Sequence, residues 1–458
     1  MQPLYITRRF LTIFVASGFA FFIFFYRRDY STIYSDRNAT YSNHCHIPEW
    51  NRVKTKSVTA SLWSSMSRRL WMSLDLSREG SQNDTELSLI GAYVYPKYIS
   101  IVINSQAMVK TTVYCRYFDC QRLELQGTSW KSDVFPESVV QCPRRIAADF
   151  VSISKESTSE YPTPMRLKYR IFEEPVHQLA ICVAPFYGME PKWMQIAEFI
   201  EHHKMEGATF FYFHIGKLSL YDRRILAEYE NAGDIEVKTL QDKYKRPFYA
   251  WQLIEIQDCH MRSKYHSKWT AFIDIDERIH TSFEANSQKL VNILQQLNQN
   301  VAEVQTPSIF IIKDLETPRK FENRQQIRGN LFSRIYNLST KLTWNASKAI
   351  IRPDKIGIMS IHYAIALEPS YKTIKTERVY LRHYKDTLHR VSGSDWATNR
   401  TFSHRPLPKE YTDLLAEKVL RKLELVYDKV PVNCSTIAKE MWISREFPNP
   451  CERMLLTW

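Results

Sequence analysis

The hydrophobic positions of the chain change period several times, and those changes divide it. Residues 10–26 (FLTIFVASGFAFFIFFY) are an unbroken apolar run bounded by Arg8, Arg9, Arg27 and Arg28. At about 1.5 Å per residue a helix of that length reaches roughly 25 Å, enough for a thin bilayer. The run stays bulky to its end, with no small-residue cleavage site before the arginines, which favours an uncleaved signal-anchor over a cleaved leader. Residues 1–9 are then a cytoplasmic tail. Residues 27–87 are polar, rich in Ser and Arg and weakly periodic, and read as a stem. Residues 88–175 are β-rich, with β-branched and aromatic residues in alternation.

From residue 176 the period alternates between strand and helix. Residues 179–185 (LAICVAP) and 209–214 (TFFYFH) have the length and continuous apolarity of buried strands, as do 235–240 and 269–274. Between them, Trp193, Ile196, Ala197 and Ile200 fall at helical spacing across 192–206, and Gly207 supplies the stop. Ser219 and Asp222 have the capping-box form ahead of Ile225, Leu226 and Tyr229. Leu253, Ile254, Gln257 and Met261 line one side of a third helix over 249–264. This order predicts an α/β domain over 176–430 with a largely parallel sheet, followed by a short tail at 431–458.

The fourth of these strands ends in chemistry. Trp269–Ile273 is followed by Asp274, Ile275, Asp276 and Glu277. On a continuing strand Asp274 and Asp276 share a face. A polar turn leaving a strand can look the same, but ligands of such sheets bind beyond the carboxyl ends of the strands, where these residues fall. Two carboxylates there suit a hard divalent cation, which could in turn hold a diphosphate.

Composition narrows the route to a nucleotide. The chain has only 11 glycines and no Gly-x-Gly, which removes the dinucleotide fingerprint and the glycine-rich phosphate loop together. Its formal charge of +13 is spread along the sequence without basic runs, so nucleic acid is not indicated. Sequons at Asn38, Asn83, Asn337, Asn345, Asn399 and Asn433 all lie on one side of the apolar run. They predict lumenal exposure, and the 8 cysteines agree with an oxidising compartment. No pairing follows from their spacing; Cys182, in an apolar strand run, and Cys259, in a helical pattern, could each be an inert buried thiol.

The words ICVAPFYGMEPKWMQIAEFIEHHKMEGATFFYFH, AWQLIEIQDCHMRSKYHSKWTAFIDIDERI, KAIIRPDKIGIMSIHYA and LRHYKD, in that order, resemble glycosyltransferase family 92. The resemblance runs from about 178 to 430, with a weaker echo in IGAYVYPKYISIVI and CPRRIAADFVSIS. It implies a GT-A-like (Rossmann-like) nucleotide-sugar transferase domain. The expected protein is a type II enzyme of the Golgi or endoplasmic reticulum membrane, with its catalytic domain in the lumen. The expected activity is inverting transfer of a hexose, galactose in the characterised cases, from a UDP-sugar to a glycan or glycoprotein acceptor, with Mn2+ as the ion.

Asp274 and Asp276 match that fold's Asp-x-Asp motif. The first acidic residue tends to meet the ribose or the ion's water shell, and the last binds the ion. A late histidine often completes such a site; His383 is the first candidate and His362 the second. Lys243, Lys245 and Arg246 could meet phosphate or form a solvated turn. Trp251, Trp269, Trp344 and Trp396 could stack on sugars, although Trp251 and Trp269 sit inside predicted elements. Residues 305–335 depart from the family's Gly/Ser-rich acceptor word. Asp314, Glu316, Glu322 and Asp386 are available as base, and nothing in the sequence selects among them. A catalytically silent glycan-binding protein of the same fold is the alternative.

Overall fold

The computed structural model describes Cys45 and residues 87–104, 108–186, 190–240, 248–282, 288–387 and 400–428. The expected anchor, nearly all of the stem and the tail with Cys434 and Cys451 lie outside them. Among the described residues no helix is long and apolar enough to cross a membrane. Two compact units meet in sequence between Ile171 and Phe172.

The first unit is all β. It contains β1 (Leu89–Val94), β2 (Tyr98–Ile103), β3 (Thr112–Phe118), β4 (Trp130–Asp133), β5 (Val139–Pro143), β6 (Phe150–Ser154), β7 (Met165–Arg166) and β8 (Lys168–Tyr169). These form two four-stranded sheets, ordered β5-β2-β1-β8 and β4-β3-β6-β7. Alternate residues such as Ile99, Ile101, Val113, Tyr117, Val151 and Ile153 turn into one core. Disulfides join Cys115 to Cys142, linking β3 with β5, and Cys45 to Cys120.

The second unit opens as the alternation predicts: β9 (His177–Phe186), α1 (Trp193–Met205), β10 (Phe210–Ile215), α2 (Leu220–Asn231), β11 (Ile235–Thr239), α3 (Phe248–Ser263) and β12 (Ser267–Ile273). Every residue of β10 is buried, as expected of a strand covered on both faces. Helix α1 starts where Asp222 Oδ1 accepts from the N–H groups of Lys192 and Trp193 at 2.9 and 2.8 Å. It stops at Gly207, whose φ of +96° favours glycine; an added Cβ would lie 2.3 Å from the side chain of Val291. The Ser219 cap also forms, accepting from Asp222 N–H at 3.0 Å.

The remaining elements are β13 (Glu277–Thr281), α4 (Leu290–Gln295), β14 (Val301–Lys313), α5 (Arg324–Asn330), α6 (Phe332–Ile335), β15 (Leu338–Ser339), β16 (Thr343–Ile351), β17 (Ile356–Met359), β18 (Ala364–Leu367), β19 (Lys372–Lys375), β20 (Val379–Asp386), β21 (Ser403–His404) and α7 (Lys409–Tyr427). The main sheet runs β11-β10-β9-β12-β16-β14-β15-β21, with β20 beside β14 and β13 beside β20.

Its first four strands are parallel, whereas β16 lies antiparallel to both β12 and β14. The sheet is therefore mixed, not largely parallel. A parallel neighbour needs a crossover, usually a helix, and the regular helical crossovers stop at β12. The thiol reading of Cys182 and Cys259 is also corrected: β9 and α3 bring them together as a disulfide, with Cα atoms 6.1 Å apart.

Candidate functional site

Strand β12 ends at Ile273, and residues 274–276 form a turn before β13. The turn is closed twice: Glu277 N–H donates to Asp274 O at 3.0 Å, and Asp274 N–H donates to Glu277 Oε2 at 2.9 Å. The alternation of a continuing strand therefore does not govern these side chains. Asp274 and Asp276 meet different partners.

Asp274 meets β16. Lys348 Nζ donates to Asp274 Oδ2 at 2.9 Å and lies 3.4 Å from Glu277 Oε2. Asp276 meets β20, where His383 Nε2 is 3.3 Å from Asp276 Oδ2 and His383 Nδ1 is 3.3 Å from Glu277 Oε1. Register makes this contact: His383 stands opposite Glu277 across β13 and beside Phe310 across β14. The Phe310 ring packs against the imidazole at 5.6 Å. The main chain adds a tie, because Tyr384 N–H donates to Asp276 O at 2.9 Å.

The charges are interlocked. Burial works against charge on Asp276, but His383 outweighs it and holds the carboxyl below its ordinary range. Burial pushes Glu277 up to about 7, with Lys348 opposing and Asp274 adding to the shift. Burial would lower Lys348 and His383; the carboxylates beside them win and raise both. The Asp274 and Asp276 side chains remain 30% and 34% exposed, while Lys348 is 6% and Glu277 1%. The two aspartates thus open outward over a buried lysine and a buried glutamic acid.

Asp276 and His383 suit a divalent cation. A carboxylate oxygen and an imidazole nitrogen are acceptable to manganese-type ions. Their 3.3 Å separation is near the ~3.1 Å between two donors at right angles with bonds of about 2.2 Å. Asp274 does not join them in a closed set. Among the described residues only Cys182, Glu255 and Cys259 bring three such donor atoms within 4.8 Å of one another. Two of those atoms are spent in the disulfide.

The other sequence candidates fall elsewhere. His362 shares a hydrogen bond of 3.0 Å with Ser347 O; burial and then Lys348 lower its pKa, against an opposing pull from Asp274. It borders the lysine, not Asp276. Trp251 and Trp269 are buried, and Trp344 carries Lys375 over its ring at 5.5 Å. Asp314, Glu316 and Glu322 are exposed, whereas Asp386, three residues beyond His383 at the end of β20, pairs with Lys313 at 3.0 Å. Asn345 is exposed; Asn337 donates its Nδ2 to Arg334 O at 2.9 Å. Lys243, Lys245, Arg246, Trp396, Asn38, Asn83, Asn399 and Asn433 lie outside the described residues.

Sequence reasoning missed Lys348. The only signal is a lysine entering the apolar run KAII, which belongs to a buried strand. It also missed a buried polar network behind β10 and β11. There His214 Nε2 is 2.7 Å from Asp258 Oδ2, and Lys238 Nζ donates to both Asp258 oxygens at 2.7 and 2.9 Å. Burial, with Asp258 and Asp274 adding to it, holds the neighbouring Glu255 carboxyl well above its ordinary range.

Known proteins agree with this picture at the level of family. The Beta-1,4-galactosyltransferase galt-1 of Caenorhabditis elegans is 25% identical over 269 residues, 54% of this chain and 60% of that protein. The chain therefore spans less than two thirds of the curated relative it matches. Among solved structures, S. aureus TarS 1–349 in complex with UDP-GlcNAc aligns over 59% of this chain and 77% of its own, at 9% identity and a TM-score of 0.24. Glucosyl-3-phosphoglycerate synthase from Mycobacterium tuberculosis, in complex with Mn2+, UDP and glucosyl-3-phosphoglycerate, aligns over 56% and 82%, at 8% identity and a TM-score of 0.24. The family model for glycosyltransferase family 92 matches residues 177–422, more than half of the chain and all of the strands that build the acidic turn. The chain belongs to glycosyltransferase family 92.

Proposed function

We propose that this glycosyltransferase moves a hexose, galactose by preference, from a UDP-sugar to a glycan acceptor, using a divalent cation of which Mn2+ is the expected one. The observation that carries the reading is the approach of Asp276 Oδ2 and His383 Nε2 to 3.3 Å at the carboxyl edge of β12. The galactose preference draws on the family resemblance and on the galactosyltransferase relative. A cation bound there supplies Lewis-acid neutralisation of the charge that builds on the leaving diphosphate.

The protein's own groups do the rest. Asp276 and His383 hold the cation. Asp274, held by Lys348 through Oδ2 and 30% exposed, is available to the nucleotide. Glu277 locks the turn through Asp274 N–H. A GT-A-type arrangement at the carboxyl ends of β9, β10 and β12 supports this placement. The apolar run over 10–26 and the sequons that follow it support an anchored enzyme in the lumen of the Golgi or endoplasmic reticulum.

The test is transfer itself. The full chain, incubated with a panel of UDP-sugars, Mn2+ and released glycans, is expected to add one hexose to a subset of glycans, with UDP-galactose the best donor. Mn2+-dependent UDP binding with no transfer to any acceptor would instead support a silent glycan-binding protein.

A further inference from the structure

Directly beneath the acidic turn lies a buried charge with no carboxylate in direct contact, Glu198 and Asp276 acting on it from further off. Arg278 is 2% exposed, and its guanidinium meets no carboxylate within 4.0 Å among the described residues. All of its hydrogen bonds go to main-chain carbonyls. One amino group, Nη1, donates to Ile275 O at 2.7 Å and to Glu277 O at 2.9 Å. The other, Nη2, donates to Gln195 O on α1 at 3.2 Å, and the plane rests 4.9 Å from the Phe199 ring. Gln195 Nε2 reinforces the same point by donating to Ile275 O at 3.3 Å.

The arrangement is expensive. Arg278 stands opposite Arg382 in the β13–β20 register, so two buried cations share one face of the sheet. Arg382 too is held by the carbonyls of Arg405 and Tyr336 and by Tyr384 Oη. An apolar pair would cost the fold less. What an apolar pair cannot do is grip the carbonyls on either side of Asp276.

The geometry points to Arg278 as a positioning residue: by clamping the carbonyls of Ile275 and Glu277 to α1, it fixes the turn so that the Asp276 carboxylate meets His383 in a form ready for the cation. This rests on the metal reading proposed above. A lysine retains the charge but has no planar fork to hold the turn's carbonyls with one arm and Gln195 O on α1 with the other. Charge and clamp can therefore be separated.

The experiment titrates Mn2+ against UDP binding in the full-length wild type, Arg278→Lys and Gln195→Ala. Changes in groups that orient ligands typically cost about 10–100-fold in metal affinity. Arg278→Lys is expected to raise the Mn2+ half-saturation roughly tenfold or more, with UDP affinity restored at saturating Mn2+. Gln195→Ala, which removes one tether and leaves the arginine in place, is expected to shift it in the same direction by a smaller factor. It keeps the test decisive if Arg278→Lys does not fold. A mere loss of folded protein would lower the number of sites without moving the half-saturation. Equal half-saturation in wild type and variants, or a loss that Mn2+ does not restore, overturns the positioning role. A wild type whose UDP binding ignores Mn2+ overturns the metal reading, and this role with it.

Discussion

Replacing Lys348 by methionine tests how the site balances its own charge. The lysine is buried, with Nζ 2.9 Å from Asp274 Oδ2 and 3.4 Å from Glu277 Oε2. Breaking a fully buried ion pair by removing one partner costs about 3–5 kcal/mol. Two features reduce that here. Asp274 is 30% exposed and keeps water. Glu277, pushed up to about 7 by burial, loses the lysine that opposes the shift and takes a proton instead. A cost of ~2–3 kcal/mol remains, which for a domain of this size is a fall of roughly 4–10 °C in Tm. The assay is thermal unfolding without metal and then with Mn2+. Added Mn2+ should restore more to Lys348→Met than to the wild type, since the cation takes over part of the ammonium's role. A metal-free Tm within about 2 °C of wild type would refute the claim that Lys348 is the counter-charge of the turn.

Three further outcomes are expected. Glu206 is buried and accepts from Leu290 N–H at 3.0 Å; burial raises its pKa from 4.5 to about 7, against that bond and Lys289. A raised folded-state pKa gives stability that is complete below about 4.5 and lost as the pH climbs through 7, up to ~3 kcal/mol. Glu206→Gln should thus unfold at a higher temperature than wild type at pH 8 and show no such gain at pH 4.5; equal pH profiles would count against it. Glycopeptide mapping should find a glycan on exposed Asn345 and none on Asn337, whose Nδ2 is already bonded to Arg334 O; occupancy at Asn337 would contradict the latter. Non-reducing peptide mapping should recover Cys45–Cys120, Cys115–Cys142 and Cys182–Cys259 as linked pairs, and free thiol at Cys182 would contradict the third.

Much of the fold could be read from the sequence because local physics decided it. Four apolar strand runs and three amphipathic helices up to Ile273 form where period and caps indicate, Ser219 and Gly207 included. Beyond Glu277, strand direction depends on which distant segment completes the sheet. The antiparallel placing of β16 therefore has no local signal. The same difference separates the parts of the site. Asp274 and Asp276 announce themselves by breaking an apolar run. His383 could only be ranked from the resemblance, since its partner Asp276 lies over a hundred residues away and meets it through β13–β20 register. Lys348 and Arg278 were invisible because their work is to hold carboxylates and carbonyls that only the folded sheet brings to them. The pairing of Cys182 with Cys259 was hidden likewise, one sitting in a strand and the other in a helix.

The central claim is that Asp276 and His383 together seat the cation through which the sugar donor is held. Calorimetric titration of UDP into the full-length protein tests it most directly, with and without Mn2+, in wild type, Asp276→Ala and His383→Ala. Mn2+-dependent binding in the wild type, weakened at least about tenfold in each variant with circular dichroism unchanged, is the predicted result. UDP affinity that is indifferent to Mn2+ and to both substitutions would contradict it.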